Sequence, residues 1–162
     1  MVGENIDKHP DVFAQVLAAG HSIGNHTYNH LKGWRTPFKT YMANVPKSED
    51  TMKNHLSPFN FHLSPFNFHL SPFFRPPYGK ATFRQRRALH KMGYQLIYWD
   101  ILTRDYEATR TPEQILTQIK QNVRPGSIIN FHDSLKSNER MLEVLPQVIA
   151  FLLAEKYEIK TL

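Results

Sequence analysis

The chain has 162 residues and a mass of 19.0 kDa, about the size of one domain. Its 41% hydrophobic, 21% charged and 12% aromatic residues are a globular rather than a disordered composition. The absence of cysteine excludes disulfides, thiolate nucleophiles and cysteine-held zinc, and twenty Lys+Arg against fourteen Asp+Glu leave a net charge of +6.

Met1 to Asn5 read as the end of a strand and its following loop. Nothing in MVGENIDKHPDVF has the charged start and apolar run of an export signal, and no window approaches the roughly 18 apolar residues of a membrane span. Pro10 suits a first helical position, with Val12, Phe13, Val16 and Leu17 at helical spacing before Gly20. Ile23 then steps into a histidine-rich segment.

The sequence HLSPFNF at 55–61 recurs unchanged at 62–68, and a third copy begins at 69. A proline in each copy, Pro58, Pro65 and Pro72, excludes a continuous helix, so the repeat reads as an extended or turn-rich loop. Read functionally, His55, His62 and His69 form a metal comb, or Phe59, Phe61, Phe66 and Phe68 a sugar-stacking surface. The favoured reading is plain duplication of surface loop over 55–68, because identical copies suggest recent copying of sequence. The fold tolerates the insertion, since lengthening a loop costs only about 0.6 kcal/mol per doubling.

Thr82 to Met92 read as a helix closed by Gly93, and its cations Arg84, Arg86, Arg87 and Lys91 as a solvated face. With no stacking motif or helix-turn-helix signal beside them, nucleic acid is not the expected partner. Gln95 to Trp99 read as a buried strand, and Thr111-Pro112-Glu113-Gln114 opens a helix with a capping box and an inner face of Ile115, Leu116 and Ile119. Pro125-Gly126 turns into the apolar run Ser127 to Phe131. A helix carrying Met141, Leu142, Leu145, Val148, Ile149 and Leu152 follows, then a last strand around Tyr157 to Leu162. Alternating strands and helices predict a mostly parallel α/β sheet or barrel in one domain over 1–162.

His26 and His30 stand four apart, so that on a helical turn both imidazoles face one side and suit a shared metal; a hydrogen-bonded histidine pair is the ordinary alternative. Four segments follow in order: GHSIGNHTYNH (20–30), FRPPYG (74–79), WDILTRDY (99–106) and GSIINFHDS (126–134). Together they resemble the polysaccharide deacetylases, carbohydrate esterase family 4, which remove N-acetyl groups from chitin-like or peptidoglycan sugars. The resemblance implies a distorted (β/α) barrel, a divalent metal, most often zinc, and an N-acetylated glycan substrate. It places the metal on His26 and His30, a carboxylate-orienting role on Arg75 and an oxyanion-binding backbone N–H at Tyr78. It makes His132 the general acid, tuned by Asp105. Trp99, Tyr106 and Asn130 fall around the acetyl pocket, although buried aromatics are usually core.

The family's first motif, Thr-Phe-Asp-Asp-Gly, supplies the catalytic base and third metal ligand, and nothing in the 162 residues matches it. Asp7 and Asp11 lie in the wrong context to replace it. The expectation is an N-terminally truncated barrel with lowered metal affinity and little or no catalysis. Two alternatives from other classes are a non-catalytic glycan-binding module and a basic polyanion-binding protein. The glycan, compartment and oligomeric state are left open by the sequence.

Overall fold

The computed structural model describes residues 1–56, 70–160 and 162, so His62, His69, Phe59, Phe61, Phe66 and Phe68 of the repeat lie outside the described residues. The chain forms two compact units, Met1–Tyr98 joined by Leu162, and Trp99–Lys160. Among the described residues no helix is long and apolar enough to cross a membrane.

The first unit carries helices α1 (Gly3–Lys8), α2 (Pro10–Ala18), α3 (Phe38–Leu56) and α4 (Phe83–Lys91) around strands β1 (Ile23–Asn25), β2 (Leu70–Phe74) and β3 (Gln95–Leu96). The strands form one parallel sheet in the order β1-β2-β3, with Ile23 opposite Leu70 and Phe73 opposite Gln95. Two apolar clusters hold it: Ile6, Phe13, Leu17, Ile23 and Met52, and Tyr41, Val45, Phe74, Leu89 and Tyr94.

The second unit is a βαβ arrangement in which β4 (Ile101–Leu102) pairs in parallel with β5 (Ile129–Asn130), with α5 (Pro112–Asn122) and α6 (Asn138–Ala154) beside them. Its core is Ile101, Ile115, Ile119, Val144, Val148 and Leu152.

Local signals are realised closely. Pro10 opens α2, and Thr82 and Thr111 cap α4 and α5 through complete capping boxes with Gln85 and Gln114. The cations of α4 are exposed while Gln85 and Leu89 are buried, as a solvated basic face requires. Several expectations are corrected. Residues 3–8 form α1 rather than a strand end, since Ile6 packs inward from a helical turn. The strand predicted over Gln95–Trp99 shrinks to two residues, and the apolar run Ser127–Phe131 holds a strand of only two. Tyr157 to Lys160 form no strand, and Leu142 and Ile149 of α6 are exposed, the inner stripe being Val144, Val148 and Leu152.

Helix α3 continues through Pro46, which has no N–H to offer the preceding turn. Around this break the carbonyls of Asn44 and Val45 accept bonds from outside the helix, from Tyr28 N–H at 3.1 Å and the Asn25 amide at 2.9 Å. Both donors lie in or beside the histidine-rich segment.

Candidate functional site

The candidate groups follow the carboxyl ends of parallel strands, where α/β folds place their chemistry: His26 after β1, Arg75 after β2, Asp105 shortly after β4 and His132 shortly after β5.

In the first unit, Asn25 organises the segment that follows it. It is 4% exposed; its amide nitrogen donates to the Val45 carbonyl and, at 3.1 Å, to the Tyr94 hydroxyl. Its side-chain oxygen accepts from Thr27 N–H at 2.9 Å, and its backbone carbonyl from Arg75 N–H at 3.0 Å. The Tyr94 hydroxyl in turn donates to the Glu49 carboxylate at 2.8 Å. One buried residue of β1 thus fastens α3, the residue after β2 and the residue before β3.

The predicted helical turn at His26 and His30 is instead a loop, with Thr27 and His30 at φ 62° and 54°. Such left-handed geometry costs a non-glycine residue of order 1–3 kcal/mol. External bonds offset it: the Asn44 side chain accepts from Tyr28 and Asn29 N–H at 2.8 and 2.9 Å, and Gly3 and Glu4 N–H donate to the Thr27 and Tyr28 carbonyls.

The imidazoles nonetheless meet, with ring centroids 4.9 Å apart. His26 Nδ1 donates to the Arg75 carbonyl at 2.5 Å, which leaves Nε2 as the lone-pair nitrogen, and burial pushes its pKa down to about 3. A neutral ring held through its far nitrogen is the form a metal needs. The two histidines therefore fit two positions of a metal centre. Among the described residues no group of three or more His, Asp and Glu is arranged to hold one. Asp7 is engaged elsewhere, accepting from the Tyr28 hydroxyl at 2.9 Å and pairing with His55 at 2.9 Å. Of the proposed comb, then, His55 serves a helix contact.

Arg75 is half-buried and its guanidinium donates to the Tyr98 carbonyl at 3.5 Å. Tyr78, after Pro76-Pro77, takes φ 59°, and its ring lies 4.7 Å from that of His30.

In the second unit, Asp105 is fully buried and grips His132 twice, accepting the ring Nδ1–H at 2.7 Å and the backbone N–H at 2.8 Å. Burial alone raises this carboxyl's pKa, but the bonds from His132 outweigh it and the net shift is downward. Arg140 Nε donates to the Asp105 carbonyl at 2.8 Å and Ser137 to that of His132 at 2.6 Å. The His132 side chain remains 34% exposed, with the Asn130 amide 3.4 Å from Nε2 and the Tyr106 ring edge-on at 4.7 Å. Trp99 is half-buried at the start of this unit.

The structure thus joins His26 with Arg75 and His30 with Tyr78 in the first unit, and His132 with Asp105, Asn130 and Tyr106 in the second. Sequence reasoning passed over Asn25, Asn44, Gln85 and Arg140. A visible signal existed for two of them: Asn25 immediately precedes His26, and Gln85 completes a Thr-x-x-Gln capping box.

Residues 1–97 match the polysaccharide deacetylase family model. A chitooligosaccharide deacetylase of Azorhizobium caulinodans is 28% identical, over 85% of this chain and 60% of its own. A peptidoglycan-N-acetylglucosamine deacetylase of Bacillus cereus is 27% identical, over 83% of this chain and 44% of its own. The chain therefore spans about half the length of these two relatives. A solved peptidoglycan N-acetylglucosamine deacetylase superposes with a TM-score of 0.86 at 23% identity, covering 99% of this chain and 70% of that one, which shows a shared fold.

Proposed function

The chain belongs to the polysaccharide deacetylase family, and on that premise we propose that its residues serve the metal-dependent hydrolysis of N-acetyl groups on N-acetylglucosamine-containing polysaccharide, chitin-like or peptidoglycan. The observation that carries this reading is the Asp105–His132 pair. Amide hydrolysis stalls unless the departing amine is protonated as the carbon–nitrogen bond breaks. A histidine held by Nδ1 on a buried carboxylate, with Nε2 on a part-exposed ring, supplies that proton with its tautomer already fixed. The carboxylate stabilises the imidazolium while it exists, and the Tyr106 and Asn130 side chains bound the ring where the acetyl group is proposed to sit, with Trp99 as a further wall.

His26 and His30 are proposed as metal ligands and the Tyr78 backbone N–H as the donor to the oxyanion. The chemistry a divalent metal such as zinc supplies at such a pair is polarisation of the amide carbonyl and acidification of a water. Arg75 holds His26 in its ligating orientation through its carbonyl, a role added to the carboxylate-orienting one that the family pattern implies.

Because the 162 residues contain no Thr-Phe-Asp-Asp-Gly sequence, we propose slow turnover by these residues alone. The test is acetate release from N-acetylated oligosaccharides with added zinc or cobalt. Slow, metal-dependent release is expected, falling by a further ~100-fold or more in His132→Ala. Release indifferent to His132 overturns the proposed role of the pair, and fast release abolished by His30→Ala overturns the slow-turnover proposal.

A further inference from the structure

The Tyr78 ring lies beside that of His30, the Trp34 ring lies against Tyr78, and the fold leaves both partly exposed. Trp34 is 42% and Tyr78 48% exposed, and they meet edge-on at 5.5 Å and 87°. Burying large rings stabilises a fold, so exposure this close to a candidate site calls for a ligand.

Neither ring stands on a loose loop. Trp34 is the centre of a 3-10 turn, Gly33–Arg35, whose Gly33 carbonyl accepts from the buried Gln85 side chain at 2.8 Å. The other end of that amide accepts from Thr82 N–H, also at 2.8 Å, so the clamp is satisfied on both sides. Gly33 sits so tightly that a Cβ there would lie 2.8 Å from Gln85 Oε1 and 3.2 Å from the Tyr41 ring. Tyr78 is carried by a Pro-Pro turn at a left-handed φ. Rings positioned by their backbones in the absence of ligand lose little freedom on binding one.

Charge says which ligand. Lys32 and Lys80 place their ammonium groups 5.4 Å from the Tyr78 and Trp34 ring centroids, respectively. No Asp or Glu occurs from Val12 to Ser48, nor from Thr51 to Trp99. The first unit holds twelve Lys+Arg against five Asp+Glu, whereas the second holds eight against nine, so the chain's positive charge resides on the unit bearing these rings. Three of the five acids are already paired, Glu4 with Lys8, Asp7 with His55 and Glu49 with Lys53.

We propose that Trp34, Tyr78, Lys32 and Lys80 form a subsite for an acidic sugar adjoining the N-acetylglucosamine, its carboxylate on the two ammonium groups and its C–H surface against the rings. This rests on the deacetylase reading, which brings a glycan to His30. A glycan in which N-acetylglucosamine alternates with a lactyl-bearing hexosamine supplies such a carboxylate wherever the lactyl group carries no peptide, and a neutral chitin-like chain does not.

Calorimetry on the whole chain at low salt, with chelator present, compares three probes: chitotetraose, a tetrasaccharide alternating N-acetylglucosamine with N-acetylmuramic acid, and dextran sulfate. The acidic tetrasaccharide should bind roughly 10-fold tighter than chitotetraose. Lys32→Ala/Lys80→Ala should erase that preference while changing chitotetraose affinity less than about 2-fold. Trp34→Ala should weaken both tetrasaccharides about 10-fold, with Trp34→Phe restoring most of the loss. A preference that survives the double lysine variant, or dextran sulfate binding as tightly as the acidic tetrasaccharide with the same lysine dependence, overturns the subsite. Equal binding of both tetrasaccharides overturns the carboxylate preference alone, and binding of neither overturns the glycan reading beneath it.

Discussion

His26 and His132 are the same side chain anchored through the same ring nitrogen, and their partners make them different reagents. His26 Nδ1 donates to a backbone carbonyl in a buried setting that keeps the ring neutral, whereas His132 Nδ1 donates to the fully buried carboxylate of Asp105. A carbonyl fixes a tautomer and adds no charge, which suits a ligand; a carboxylate fixes the same tautomer and stabilises the cation that forms when a proton is carried. The supports differ in kind as well. The first unit's loop hangs on a neutral amide, Asn25, and the second unit's histidine on an ionised acid.

This contrast is broken most forcefully at Asp105. Asp105→Ala removes both acceptors of His132 and should cost about 3–5 kcal/mol in urea unfolding. The pH dependence carries the same signature. A carboxyl whose folded pKa lies below its unfolded value near ~3.9 stabilises the fold above that pH, and the contribution is lost as pH falls through the lowered folded value. The wild type should therefore lose stability below about pH 4 more steeply than Asp105→Asn. On the neutral side of the comparison, Asn25→Ala strands the buried Thr27 N–H and takes a donor from the Val45 carbonyl, with an expected loss of about 2–3 kcal/mol. Cobalt affinity, read from its visible absorption, should drop ~10–100-fold with it. A cobalt site that survives Asn25→Ala unchanged would remove Asn25 from the account. Gly33→Ala should cost about 1–3 kcal/mol by displacing Gln85, measured as a lowered melting temperature. Smallest is Lys8→Ala, which breaks an exposed pair with Glu4 and should leave the melting temperature unchanged within error.

What could be read in advance was local. Helix starts at Pro10, Thr82 and Thr111 announce themselves within four residues, and so did the segments that carry His26, Arg75, Asp105 and His132. Strands of two residues, such as β3, β4 and β5, are too short for a period to show. The backbone of the His26–His30 loop was not legible either, because Thr27 and His30 adopt left-handed angles that no residue type there signals. The clamps are long-range: Asn25 reaches Tyr94 across 69 residues and Gln85 reaches Gly33 across 52, distances over which one sequence carries no pairing signal.

The ends flanking the copied heptapeptide are separately pinned, His55 to Asp7 on one side and Ser71 to the Ile23 carbonyl at 2.7 Å on the other. The first pin ties the end of α3 to α1, and the second ties β2 to β1. Slippage of a copying polymerase that adds or deletes a heptapeptide would then be absorbed between two fixed points, leaving His26 and Arg75 opposite each other. Genes for this protein are accordingly expected to differ among close strains in the number of HLSPFNF copies far more readily than in any residue of the sheet beside them.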